Sequence, residues 1–139
     1  MAKLPTTVCA CAVFVREGDL LLAKRAPHRT AYPNCWDVIG GHVEPGETVE
    51  QALVREAEEE VGLTPKRFAA VGRIERPSSD PYGQSEFHFF VVHEWDGGEP
   101  RLLGDEHVEI RWFTVADASA LTDLALPEYR DLFRTLRLR

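Results

Sequence analysis

Apolar residues run almost unbroken over residues 7–15, TVCACAVFV, the pattern of a strand buried on both faces. Glu17-Gly18-Asp19 supplies turn residues, and Leu20-Leu21-Leu22-Ala23 predicts the returning strand of a hairpin. A polar loop containing Pro27 and Pro33 leads to Trp36-Asp37-Val38-Ile39, read as a short strand ended by Gly40-Gly41. After the turn-rich GHVEPGE segment the period changes to that of a helix. Its start is Thr48, whose hydroxyl caps the first turn while Gln51 reaches back, the T-x-x-Q capping box. Its end is Gly62, suited to the left-handed position after a helix, with Pro65 just beyond. Residues 67–75 and 86–95 predict two strands around a loop rich in Pro, Ser and Gly; Asp96-Gly97-Gly98 marks a turn, and residues 109–113 predict another strand. From Pro127 onward Tyr129, Leu132, Phe133 and Leu136 recur at helical spacing, predicting a terminal amphipathic helix. Strands interleaved with two helices, several joined as hairpins, predict an α+β or α/β fold with a mixed sheet.

The first helix carries its charge in an unfavourable place. Arg55-Glu56-Ala57-Glu58-Glu59-Glu60 sets four carboxylates near the helix C-terminus, where the macrodipole is negative and like charges repel at i,i+3 and i,i+4. At 100° per residue Val49, Ala52 and Leu53 define the inward sector; Glu56 and Glu60 fall inside it, Glu59 lies at its edge, and Glu58 faces solvent. A solvated acidic face accounts for Glu58. It accounts poorly for Glu56 and Glu60, because an unpartnered buried carboxylate costs several kcal/mol or takes up a proton. Arg55 pairs with Glu59 at i,i+4 but cannot neutralise three charges. Clustered oxygen donors suit a hard cation, Mg²⁺ or Mn²⁺, better than zinc.

Composition narrows the classes. The chain has 139 residues, enough for one domain and one core, and 44% hydrophobic with 28% charged residues is a globular composition. A net charge of −7 disfavours a nucleic-acid polymer as partner, so any phosphate chemistry needs an added cation. Cys9, Cys11 and Cys35 form no C-x-x-C pair, and Cys9 and Cys11 read as small buried residues on one strand face. Pro5, Thr6 and Thr7 do not continue a signal peptide, and no apolar run is long enough to span a membrane. The expectation is a reduced, cytoplasmic protein without a membrane partner.

Gly41 to Leu63 reads GHVEPGETVEQALVREAEEEVGL. This resembles the Nudix box: Gly, five residues, Glu, seven residues, then R-E-U-x-E-E-x-G-U. Gly41, Glu47, Arg55, Glu56, Glu59, Glu60 and Gly62 occupy its invariant positions. Ala57 is smaller than the usual aliphatic residue, and Ile39 stands where a proline often precedes the two glycines. Lys24-Arg25-Ala26, His88-Phe89-Phe90, the turn Trp95 to Pro100 and the loop Gly104-Asp105-Glu106 extend the similarity to MutT-like members over most of the chain. The resemblance implies a single Nudix domain over residues 1–139, an α/β/α sandwich with a mixed sheet. It implies metal-dependent hydrolysis of a nucleoside diphosphate linked to another moiety, by water attack at phosphorus.

By the same resemblance Glu56, Glu60 and the main-chain carbonyl of Gly40 bind metal, Mg²⁺ or Mn²⁺. Glu59 is a ligand or takes the water's proton, Arg55 orients the carboxylates, and Glu47 fixes the loop. Family members often add an acidic residue from a later loop, for which Glu106 is chosen, with Glu109 and Asp105 as rivals. Arg25 and Phe89 are the expected nucleotide contacts, beside solvated and core alternatives. Members that act on oxidised guanine nucleotides carry an asparagine before the last helix; here the equivalent is Leu126, followed by Pro127. A (d)NTP pyrophosphohydrolase is the leading expectation. A hydrolase of ADP-ribose or nucleotide sugars and a non-catalytic nucleotide sensor are the alternatives. Homodimers are common among relatives, and the sequence shows no interface.

Overall fold

The computed structural model describes residues 6–81 and 83–136; Pro5 lies outside them. Strand β1 (Thr7–Arg16) is central. It pairs in parallel with β6 (Ser85–Asp96) on one side. Its other edge is divided: Cys9 to Ala12 pair antiparallel with β4 (Ile39–His42), while Val15 and Arg16 pair with β2 (Asp19–Arg25). Strand β5 (Thr64–Arg76) lies outside β6, and β2 is flanked by β3 (Trp36–Asp37) and β7 (His107–Thr114). The sheet is thus mixed and seven-stranded. Glu17 and Gly18 make the β1–β2 hairpin, both at positive φ, in the primed sense that matches strand twist.

Both faces of β1 are covered, which explains its unbroken apolar run. Its even residues Ala10, Ala12 and Phe14 pack with Ala52, Leu53, Ala57 and Val61 of helix α1 (Val49–Val61). Its odd residues Cys9, Cys11, Val13 and Val15 face Ala118 of α2 (Val115–Ala120) and Tyr129 and Phe133 of α3 (Tyr129–Thr135). The result is the α/β/α sandwich with one core on each side. Burial pushes the Cys9 thiol up to about 12, so Cys9 behaves as a small apolar residue, and Cys9, Cys11 and Cys35 are free thiols.

Helix α1 begins and ends as its sequence predicts. Thr48 Oγ accepts from the Gln51 N–H (3.1 Å), Gln51 Oε1 accepts from the Thr48 N–H (2.9 Å), and Gly62 closes the helix at φ 72°. Three expectations are corrected. The strand read as stopping before Gly40 is interrupted at Val38 and runs on through both glycines to His42. The helix expected from Pro127 starts at Tyr129 and is complete at Thr135, before Leu136. A third helix, α2, precedes it, capped by Thr114 Oγ, which accepts from the Asp117 N–H (3.0 Å). No helix among the described residues is long and apolar enough to cross a membrane.

At Gly40 the backbones of β1 and β4 leave no room for a side chain. A Cβ there would stand 2.2 Å from the Ala10 carbonyl oxygen and 2.9 Å from Cys11 Cα, both backbone atoms unable to yield. Gly40→Ala is therefore expected to destabilise the protein by about 2 kcal/mol through overpacking. A denaturant midpoint equal to that of the wild type would show that the two strands can separate without cost.

Candidate active site

The inward strip of α1 meets β4 across the two glycines. At Gly41 a Cβ would stand 2.4 Å from Glu56 Cδ and 2.6 Å from each of its oxygens, so the missing side chain is the space the carboxylate fills. The Gly40 N–H donates to Glu60 Oε2 (3.1 Å). A strand residue directs its N–H and C=O to the same side, so the Gly40 carbonyl faces this cleft too. Glu60 is only 6% exposed, and Glu56 is half-buried one turn before it. Glu59 stands exposed at the rim, and Glu58 points away and accepts from the Thr64 hydroxyl (3.0 Å).

Arg55 arranges these charges. Its Nε and Nη2 donate to the two oxygens of Glu47 (2.7 and 2.9 Å), its Nη1 to Glu56 (2.9 Å) and Glu59 (3.3 Å), and Nη2 also to the His42 carbonyl (2.9 Å). This fork-to-fork pair ties the turn before α1 to the helix. The Arg55 hydrogen bonds and the Glu44 N–H lower the Glu47 carboxyl to about 2. Burial raises Glu56 above the ordinary carboxylate range, with Arg55 opposing it.

Glu106 comes from the loop before β7 and meets Glu60 in a carboxyl–carboxylate hydrogen bond. Burial drives Glu60 well above the usual range, reinforced by that bond and by the charges of Glu56 and Glu106. Burial also pushes Glu106 up, but the bond from Glu60 and the Arg29 guanidinium (3.2 Å) outweigh it and leave Glu106 lowered. The two carboxyls therefore titrate together, Glu60 shifted up and Glu106 down. Asp105 is exposed near His28, and Glu109 pairs with Arg111; neither lines the cleft. The cleft itself encloses 230 Å³ between Arg25, Arg29, Gly40, Glu56, Glu60 and Glu106.

Arg25 is buried at the inner end of this cleft. Its Nε donates to the Ala31 carbonyl (2.9 Å) and its Nη1 to Asp37 Oδ2 (3.2 Å). Asp37 Oδ1 accepts from the Val38 N–H (2.8 Å) and the Tyr129 hydroxyl (2.6 Å), so α3 reaches the site through Asp37. Beyond Arg25 a narrower crevice is lined by Cys9, Asp37, Phe87 and Tyr129. The expectation that Phe89 borders the nucleotide is corrected: it has no exposed surface and packs edge-to-face against Tyr129 at 5.6 Å. Phe87, two residues earlier on the same face of β6, is the aromatic at the crevice.

Sequence reasoning missed Asp37, Arg29, Phe87, Tyr129 and His107. His107 adjoins Glu106, and a ring nitrogen lies within 4.8 Å of a carboxylate oxygen on each of Glu60 and Glu106. Burial holds its imidazole below the ordinary value, with Asp37 opposing and Arg25 adding to the effect. Adjacency to Glu106 was the signal available for His107; nothing local marked the other four.

Residues 3–136 match the family profile of the NUDIX domain. The chain belongs to the Nudix family. It is 38% identical over 111 residues to the 8-oxo-dGTP diphosphatase of Escherichia coli, covering 80% of this chain and 82% of that protein. It is 36% identical over 110 residues to the ADP-ribose pyrophosphatase of Methanocaldococcus jannaschii, covering 79% of this chain and 63% of that one. A NAD-capped RNA hydrolase of Chromobacterium violaceum is 37% identical over 118 residues, 85% of this chain and 41% of the relative's own length. The chain thus spans less than two thirds of these last two relatives. Among solved structures, the MutT NUDIX hydrolase of Burkholderia pseudomallei superposes with a TM-score of 0.84 at 28% identity, covering 96% of this chain and all of that one. Divalent metals are in general use in the Nudix family.

Proposed function

We propose that this Nudix protein hydrolyses a diphosphate linkage in a small nucleotide, with a nucleoside triphosphate as the leading substrate and a divalent metal, Mg²⁺ or Mn²⁺, as cofactor. The observation that carries the reading is the buried Glu60, set between the Gly40 N–H and Glu106 with Glu56 beside it. Such carboxylates repel or share a proton unless a cation joins them. The donors are oxygens, and the absence of a Cβ at Gly41 leaves Glu56 its place, so the residues fit a hard divalent ion. Glu56, Glu60, Glu106 and the Gly40 carbonyl would hold it. When bound, such an ion supplies electrophilic polarisation of a phosphate oxygen and lowers the pKa of a coordinated water.

The chain's own groups do the rest. Glu59, exposed at the rim, accepts a proton from the attacking water. The water oxygen forms the new bond to phosphorus, the bridging P–O bond breaks, and the leaving phosphate carries away the electron pair. Arg25 and Arg29 line the cleft and bind the anionic chain, while Arg55 keeps Glu56 and Glu59 oriented. Phe87 and Tyr129, both more than nine-tenths buried, form the apolar wall of the small crevice past Arg25. The whole of residues 1–139 is taken as one such domain.

The test is turnover of a panel of canonical and oxidised dNTPs, ADP-ribose, nucleotide sugars, NADH and dinucleoside polyphosphates, each with Mg²⁺, Mn²⁺ and EDTA. Cleavage within one diphosphate linkage, abolished by EDTA, is the expected result and identifies the substrate. A panel without turnover but with nucleotide binding intact would replace the hydrolase by a sensor.

A further inference from the structure

We propose that His107 is a direct nitrogen ligand in the metal site and that it tilts the site's preference from Mg²⁺ toward Mn²⁺ and Co²⁺. The inference rests on the metal-site reading above and adds to it the chemistry of one donor. His107 is the first residue of β7, held in register opposite Arg25 of β2. That pairing anchors the ring's backbone in the sheet while Glu106 next to it closes the loop. One ring nitrogen and one oxygen each from Glu60 and Glu106 lie within 4.8 Å of one another. Opposite ligands of a six-coordinate ion with bonds of about 2.1 Å stand about 4.2 Å apart, so donors within 4.8 Å reach a single ion by shifts of about half an ångström. It is the one such group of His, Cys, Asp and Glu side chains among the described residues.

The three donors come from separate elements, α1, the loop before β7 and β7 itself. Glu60 is buried and anchored by the Gly40 N–H, and Glu106, though exposed, is held toward it by Arg29 (3.2 Å). An all-oxygen set suits Mg²⁺, whereas an imidazole adds affinity along the order in which Mn²⁺ precedes Co²⁺ and leaves Mg²⁺ little changed.

The experiment titrates the full, chelator-stripped chain with Mg²⁺, Mn²⁺ and Co²⁺ alone, in wild type, His107→Gln and Glu60→Gln. The expected result for His107→Gln is about a tenfold loss of Mn²⁺ and Co²⁺ affinity, an altered Co²⁺ visible spectrum, and Mg²⁺ affinity within about twofold of wild type. An unchanged Mn²⁺-to-Mg²⁺ ratio with an unchanged Co²⁺ spectrum overturns the assignment of His107. Unchanged binding of all three ions in Glu60→Gln overturns instead the metal site itself, so the two failures are distinct. Should His107→Gln not fold, wild type labelled with ¹⁵N-histidine and loaded with ¹¹³Cd²⁺ decides the matter. A ¹¹³Cd–¹⁵N coupling at His107 supports the bond, and its absence removes it.

Discussion

Glu60→Gln is expected to lower kcat by about three orders of magnitude while making the metal-free protein more stable. A thousandfold loss is about 4 kcal/mol of transition-state stabilisation, the scale of removing a charged donor from a metal centre. The stability effect has the opposite sign because the wild-type carboxyl is buried. Burial raises Glu60 well above its ordinary value of 4.5, so the folded protein retains a proton that the unfolded chain has released. Its contribution is fully present below the unfolded value and is lost as pH rises from there toward the raised folded value. Glutamine carries no such charge, so in EDTA the variant gains on the wild type as pH rises, by about 2 kcal/mol or roughly 7 °C at neutral pH. Saturating Mg²⁺ should reverse the order, because only the wild type gains binding energy. Thermal melts between pH 4 and 8, with and without metal, check the sign. A variant that melts below the wild type in EDTA at pH 8 would mean that Glu60 is a stabilising carboxylate and not a charge awaiting a cation.

Arg55→Ala should lower kcat by about a hundredfold and Tm by several degrees, in contrast to the opposed effects at Glu60. The guanidinium joins Glu47, Glu56, Glu59 and the His42 carbonyl, so its loss frees the turn before α1 and leaves its carboxylates to repel. Arg55→Lys restores the charge without the planar fork, so it should recover most of the melting temperature and little of the turnover. That split separates placement of the carboxylates from charge balance. If lysine restored kcat fully, Arg55 would be a counter-charge and nothing more.

Helix α1 was legible almost to the residue. The hydroxyl of Thr48, the reach of Gln51 and the left-handed freedom of Gly62 act within one turn, so no distant partner is needed to place them. The inward turn of Glu56 and Glu60 was also legible, because helical period alone sets their direction. Helix α2 was not, although Thr114 and Asp117 mark its cap. Six residues lie well below the length at which a helix holds without packing, and Ala118 packs only once the sheet is formed.

The site beyond α1 depended on contacts that no local pattern carries. Gly40 and Gly41 read as a stop, yet pairing with Cys11 and Ala10 continues β4 through them, and only residues without a Cβ fit beside Ala10 and Glu56. Phe87 and Phe89 share one face of β6 by strand period; only the packing of Tyr129 decides that Phe89 is sealed and Phe87 left at the crevice. Asp37 acquires its place from Arg25 on one strand and Tyr129 on the last helix. By itself, then, the sequence determined the family, the fold class and the acidic helix, since these rest on period, capping and the spacing of carboxylates on one element. Which loop carboxylate meets Glu60, which aromatic borders the crevice beyond Arg25 and which histidine stands beside the cleft were decided only in three dimensions, where β2, β4, β7 and α3 bring residues far apart in the chain within a few ångströms of one another.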